Sequence, residues 1–282
     1  VTVVRVAAVQ MVSTFDVEAN LRSAEQLLTQ AADQGASMAV LPENFAVLDS
    51  DNLMRWGEEE RKTRLFSQFL SQQARKLGMQ IVGGTIPLRE RMDGSGVTGN
   101  RVTASSLLFD EQGELQARYD KIHLFDVSVQ DQQGQYLESR VIEPGTKTVA
   151  TPSACGLLGL SVCYDLRFPE LYQALTHEGC VAFTVPSAFT YRTGQAHWET
   201  LLRARAIENQ AFVIAPNQGG KHSEKRETWG HSMIVDPWGA VLTQRESGAG
   251  IILADLDMGW LQEVRSAMPL PQHKRLKRAE LT

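Results

Sequence analysis

The sequence predicts an α/β fold, one sandwich of two mixed sheets with helices outside, and three observations point to it. Apolar strand-like runs alternate with helical patterns along the chain. The order strand, helix, strand, helix, strand, hairpin occurs twice, and both hairpins carry Asp-x-x-Gly at the turn, at Asp110–Gly113 and Asp236–Gly239. No Pro/Gly linker cuts the middle, so residues 1–282 are expected to form a single domain, with an extended tail from about residue 268.

Val3–Val9 is β-branched and apolar, and Asn20–Ala32 carries Leu21, Ala24, Leu27, Leu28 and Ala31 at helical spacing before Gly35. Met38–Leu41 is a second short strand ending in Pro42-Glu43-Asn44. Thr63–Leu77 reads as one helix stopped by Gly78, followed by a strand over Gln80–Ile86. Met92–Arg101 is a Gly-rich polar loop, and Leu107–Leu115 is a hairpin running on to Tyr119-Asp120-Lys121. Val127–Pro144 is a long polar connection, and such a length within a compact domain points to function. The second half gives a strand at Leu157–Val162, a helix at Pro169–His177 and a strand at Val181–Val185. A helix at Ala196–Asn209, a strand at Phe212–Ala215 and a hairpin from Ser232 follow. Gly259–Ser266 is a short helix, and Pro269 and Pro271 begin the extended tail.

Composition excludes several classes. The chain is 43% hydrophobic and 22% charged with a net charge of −5, which gives no general affinity for nucleic acid or anionic membrane. No apolar stretch approaches membrane-spanning length, and the chain opens on a strand without a signal-like segment. Cys155, Cys163 and Cys180 cannot all pair, which points to a reducing, cytoplasmic setting. No cofactor or metal is expected, because CxxC, HExxH, P-loop and GxGxxG patterns are all missing. The basic run His273–Arg278 reads as a solvated or partner-contacting terminus.

Cys163 stands where an apolar strand hands over to a helix opened by Pro169 and Glu170. That is the end of an α/β sheet at which catalytic groups collect. Unpaired helix N–H groups and Arg167 are expected to lower the thiol's pKa and expose the thiolate. A lone cysteine also reads as a small buried hydrophobe. Here Asp165, Arg167 and Glu170 are polar company too dense for pure core, which favours a nucleophile. A nucleophilic thiol needs a base and an oxyanion stabiliser. None of the six histidines stands out by position, although His197 is able to face the site or cap a helix. Glu43, at a comparable strand end, suits a general base in a dry pocket. Lys121, after the first hairpin, suits a fixed charge for a developing oxyanion. Read from the residues alone, Glu43 equally caps a loop and Lys121 equally is a surface charge.

Leu41-Pro42-Glu43-Asn44, Tyr119–Phe125 and Val162–Glu170, in that order, resemble the motifs of the nitrilase superfamily of carbon–nitrogen hydrolases, and the likeness runs from Val3 to the tail. The resemblance implies a four-layer α-β-β-α sandwich that pairs, across the helices flanking the cysteine region, into a larger dimeric sandwich, a homodimer. It also implies a Glu–Lys–Cys triad on Glu43, Lys121 and Cys163, with a supporting glutamate at Glu138 inside the long connection. The implied reaction is hydrolysis of a small-molecule amide through a thioester on Cys163, with Glu43 moving the proton that leaves as ammonia. Lys121 and the Tyr164 N–H would hold the oxyanion.

Ser187–Trp198 and Leu202–Asn209 resemble the Nit branch, which includes amidases of deaminated glutathione and ω-amidases. Arg167–Glu170 and Lys221–Arg226 resemble the former more. Arg167, one turn past Cys163, suits a substrate carboxylate, or pairs instead with Asp165 or Glu170. Phe189 and Thr193 are expected in the same pocket, with core packing as the other reading of Phe189. Arg203 and Arg205 point to different faces of their helix, so at least one is structural. Activity as an ω-amidase or carbamoylase, or a silent interaction module, are the competing readings. A serine hydrolase is disfavoured because Gly230–Ile234 lacks the second glycine of a nucleophile elbow.

Overall fold

Strand Val3–Gln10 shows how the layers arise. Successive side chains of a strand point to opposite faces. Val6 and Ala8 share one buried cluster with Val213, Ile234 and other residues of a second sheet. Ala7 and Val9 pack with Leu27 and Leu28 of the helix Val17–Asp33, and with Phe66 and Leu70 of the helix Leu65–Leu77. Both faces of the strand are covered, which is why it reads as a nearly unbroken apolar run. In the computed structural model, which describes residues 2–129 and 134–275, this gives helix, sheet, sheet and helix layers, the expected α/β sandwich.

The first sheet has the order Gly250–Asp257, Val3–Gln10, Met38–Val40, Gln80–Val82, Thr103–Phe109. Ile86–Leu88 and Leu115–Asp120 also pair with Thr103–Phe109. The second sheet runs Ala150–Ser153, Gly156–Leu160, Ala182–Thr184, Phe212–Ala215, Ser232–Val235, Val241–Arg245. Each has an antiparallel first pair, then three parallel strands, then an antiparallel strand that opens the hairpin. The expected repeat extends to the turns. Asp110 Oδ1 accepts from the N–H groups of Gln112 and Glu114, and Asp236 Oδ1 from those of Trp238 and Ala240, all at 2.8–2.9 Å. Each hairpin also shifts register beside its turn.

Several boundaries differ from expectation. The helix expected over Thr63–Leu77 is two helices, Leu53–Thr63 and Leu65–Leu77, broken at Arg64 with φ of 58°. Buried Glu60 accepts from the Phe66 and Ser67 N–H groups, so the first helix caps the second. The helix expected from Ala196 begins at Tyr191. The long connection holds a pair of short antiparallel strands, Asp126–Ser128 with Gln135–Leu137, and a 3₁₀ turn at Glu138–Arg140. The tail forms a helical turn at Leu270–His273 where extended chain was expected, while Leu276, Lys277 and Arg278 of the basic run lie outside the described residues.

The strand expected over Gln80–Ile86 is split into Gln80–Val82 and Ile86–Leu88, both lying along Thr103–Phe109. The break is a requirement of the neighbouring chain. A Cβ at Gly84, where φ is +46°, would sit 2.0 Å from the Pro42 carbonyl oxygen. Thr85 Oγ1 accepts from the Asn44 N–H at 2.9 Å. The gap therefore seats the turn that carries Glu43. Gly84→Ala is expected to cost roughly 2–4 kcal/mol, since a backbone clash adds to the left-handed strain. Gly35→Ala, with φ of +80° and nothing within 4 Å, should lose only the conformational part, about 1–2 kcal/mol. Urea unfolding of the two variants side by side checks the difference.

Candidate active site

Glu43 follows the strand Met38–Val40, Lys121 follows Leu115–Asp120, and Cys163 lies three residues past Gly156–Leu160. The sandwich brings these strand ends together. Cys163 itself has φ of 48°, rare for a side chain with a Cβ, and its N–H donates to the Pro186 carbonyl at 2.9 Å. The chain turns sharply there, through a 3₁₀ segment Cys163–Arg167, before the helix Pro169–His177.

Lys121 is 1% exposed, and its Nζ donates to Glu43 Oε1 at 2.8 Å and to both oxygens of Glu138 at 2.8 and 2.9 Å. Burial pushes the ammonium's pKa down, but Glu138, Glu43 and Cys163 outweigh it and hold Lys121 well above its ordinary value. Glu43 Oε2 accepts from the Ala188 N–H at 2.9 Å, and Glu138 Oε2 accepts from the Phe125 N–H. Burial raises Glu138's pKa, with Lys121 opposing and Glu43 adding to the rise.

The thiol departs from expectation. Burial first, and then the charge of Glu43, push Cys163 well above the usual thiol range, with Lys121 pulling the other way. Arg167 has no part in this. Its Nη1 lies 3.3 Å from His197 Nδ1, and its guanidinium stands over the rings of Tyr164 and Phe189 at 5.8 and 5.4 Å. It pairs with neither Asp165 nor Glu170. The charge that the thiol faces is that of Glu43, not Arg167.

Asp165, fully buried, ties the cysteine turn to the lysine strand. Its Oδ2 accepts from the Val162 N–H at 2.9 Å and the Tyr119 hydroxyl at 2.7 Å. Its Oδ1 accepts from the His123 N–H at 3.0 Å and from Nδ1 at 2.7 Å. Tyr119 and His123 stand two residues either side of Lys121, so one carboxylate fixes Lys121 relative to Cys163. His123 also stacks on Phe168 at 3.7 Å. Asp165 was visible in the sequence only as polar company, and Tyr119 only as part of a motif.

One pocket contains Glu43, Lys121, Glu138 and Cys163, with Tyr164, Phe189, Thr193 and Arg226 also in its wall. Arg167 stands behind the Tyr164 and Phe189 rings and is not in the wall. The Tyr164 N–H meets no backbone acceptor among the described residues. Phe189 is both wall and core, packing on Trp198 at 4.8 Å. Both arginines of that helix are structural: Arg205 Nε donates to the Leu166 carbonyl at 3.0 Å, and Arg203 Nε to the Gly239 carbonyl at 2.8 Å. Arg226 was missed as a site residue, although its segment is distinctive in the sequence. It sits on the loop strapped by His222. The ring's Nδ1 lies 2.7 Å from the Ser13 carbonyl, an acceptor only, so Nδ1 carries the proton and Nε2 takes the Thr228 hydroxyl at 2.6 Å. Among the described residues no group of three or more His, Cys, Asp or Glu side chains is placed to hold a metal ion, and no helix is long and apolar enough to cross a membrane.

A buried Lys–Glu–Glu cluster beside a cysteine at a strand end, inside an α-β-β-α sandwich, defines a class. The family model for carbon–nitrogen hydrolases matches residues 5–266, and the chain belongs to that family, within the nitrilase superfamily. Among its relatives, a protein of Yersinia enterocolitica named deaminated glutathione amidase is 41% identical, over 96% of this chain and 92% of that one. Nit3 of Saccharomyces cerevisiae, of branch 10 of the superfamily, superposes with a TM-score of 0.85 at 31% identity, over 97% of both chains. The NitFhit protein of Caenorhabditis elegans gives 0.85 at 34% identity over 97% of this chain, which spans only 65% of that longer one.

Two outcomes are expected from this geometry. Asp165→Asn leaves a single acceptor oxygen for four donors, and should cost about 3 kcal/mol in urea unfolding, against about 1 kcal/mol for Tyr119→Phe. His222 is held down to about 4 by burial, against 6.5 in the unfolded chain. The unfolded state therefore binds the extra proton, so this stability is present above pH 6.5 and is lost as pH falls toward 4, up to about 3 kcal/mol. The slope of unfolding free energy against pH in that window should flatten in His222→Asn.

Proposed function

We propose that the protein is an amidase that cleaves a small-molecule amide through a thioester on Cys163, with deaminated glutathione as its substrate. The observation that carries this reading is the ammonium of Lys121, buried between Glu43 and Glu138 in the pocket that holds Cys163. The similarity to amidases of that name at about 40% identity supports the substrate.

The first step passes the thiol's proton to Glu43 as the sulfur attacks the amide carbon. Lys121 Nζ and the Tyr164 N–H donate to the oxyanion of the tetrahedral intermediate. Glu43 then returns the proton to the leaving nitrogen, the carbon–nitrogen bond breaks, and a thioester remains. Water attacks that carbonyl while Glu43 takes its proton. Collapse frees the acid and gives the proton back to sulfur. Glu138, bonding Lys121 through both oxygens, holds the ammonium on the oxyanion side. The leaving group depends on the amide. A primary amide releases ammonia, as expected from the sequence, but deaminated glutathione is a substituted amide and releases the amino group of a dipeptide.

The expected homodimer and cytoplasmic setting belong to the same proposal. Exposed Tyr191 and Ile207 on the helix Tyr191–Asn209 support the first, and three unpaired thiols the second. Light scattering that reads a monomer would remove the dimer.

The deciding assay follows 2-oxo acid release from deaminated glutathione and from α-ketoglutaramate. Turnover of the first should exceed that of the second. Cys163→Ala should abolish both and keep the fold, and Glu43→Gln should lower kcat by at least about 10²-fold. Preference for the short amide would move the reading to ω-amidase, and activity surviving in Cys163→Ala would end the thioester mechanism.

A further inference from the structure

Arg226 is unlike the other cations around the pocket. Lys121 is committed to two carboxylates, and Arg167 to His197 and two aromatic rings. Arg226 is in the pocket wall, yet its Nε is buried and donates to nothing, and among the described residues its guanidinium has no carboxylate partner. A buried charged donor without an acceptor is costly, and such groups persist where something else supplies the acceptor.

The loop that presents Arg226 is built. Lys221 and Glu227 form an antiparallel bridge, and Thr190 and Thr228 form another. The His222 N–H donates to the Arg226 carbonyl at 2.9 Å, and the Arg226 N–H donates to Ser223 Oγ at 3.2 Å. Through its ring, His222 anchors the loop to Ser13. The backbone of Arg226 is thus held on both sides while its side chain is left for the pocket.

Charge points to what it meets. Glu43 and Glu138 against Lys121 leave the reacting end formally at −1, which repels an anionic substrate and leaves no free cation there. We propose that Arg226 is the specificity-determining residue of this pocket: its guanidinium takes a carboxylate of the substrate remote from the scissile carbonyl, so that the site selects amides bearing an acid group. The planar fork of Arg suits a carboxylate bidentately. The inference rests on the amidase reading of the pocket, and the test separates the two.

The probes are glutaramic acid, which carries an amide at one end and a carboxylate at the other, and its methyl ester. Wild type should prefer the acid. In Arg226→Gln, kcat/KM for the acid should fall about 30- to 100-fold, mostly through KM, and the acid-to-ester ratio should collapse toward one. Arg226→Lys should recover part of that ratio. A ratio unchanged in Arg226→Gln, or acid and ester falling together, would overturn the proposal, the second outcome marking a merely structural role. A second measurement needs no turnover: glutarate should protect Cys163 of the wild type from iodoacetamide, and should lose that protection in Arg226→Gln. If no amide is cleaved but protection depends on Arg226, the amidase reading fails and the carboxylate site stands. If amides are cleaved and neither ratio nor protection responds to Arg226, the carboxylate site fails alone.

Discussion

Everything around the site depends on keeping one ammonium dry. Taking a charge of this size from water into a medium of low dielectric costs on the order of 20 kcal/mol in the idealised limit, and several kcal/mol after relaxation. Lys121 bears that cost because two carboxylates meet it at 2.8–2.9 Å. Each comes from a different segment, so each segment must be held to tenths of an ångström. The Ala188 N–H holds Glu43, the Phe125 N–H holds Glu138, and Asp165 holds the lysine strand against the cysteine turn. The broken strand at Gly83-Gly84 belongs to the same arrangement, because without it the Glu43 turn has nowhere to sit.

The two halves of the sandwich share a plan, yet the positions that hold Glu43, Lys121 and Cys163 at one set of strand ends hold no ionisable group at the other. The registers Ala8–Val40 and Leu160–Thr184 make Met11 the counterpart of Cys163, and Ser187 that of Glu43. Counting from the two hairpin aspartates, Ser247 stands where Lys121 does. Beside Met11 and Ser187 the buried polar side chains Gln10, Ser13, Asn217, Gln218 and Ser232 are neutral too. Gln10 Oε1 accepts from the Ser232 N–H at 3.0 Å, and Gln218 Nε2 donates to Ser13 Oγ at 2.8 Å. A closed amide-and-hydroxyl network needs no counterion, and it ties the two sheets together beside the reactive end.

The parts of this plan carried by local pattern were legible in the sequence. Period-two and period-3.6 runs placed most strands and helices, and the polar residues closing apolar strands were Glu43 and Cys163. What escaped has one cause: it is set by contacts distant in sequence. The helix Leu53–Thr63 buries only Leu53, Gly57 and Glu60, so it shows no apolar stripe, and its role as a cap for the next helix depends on a buried acid. Asp165 could not be known as the link between the lysine strand and the cysteine turn until Tyr119 and His123 were seen beside it. The thiol was misjudged for the same reason. A nearby arginine and a helix start are visible in the chain, whereas the burial and the facing carboxylate that outweigh them are not.

The state of that thiol has a consequence for how the protein ages. Peroxides and disulfides react with thiolates, climbing from sulfenic acid to forms that cannot be reversed. All three cysteines are held above the usual thiol range, Cys180 as far as about 12, so the protein offers little thiolate at neutral pH. Burial thus slows oxidation of the sulfurs, and a chain with three unpaired thiols is the longer-lived for it.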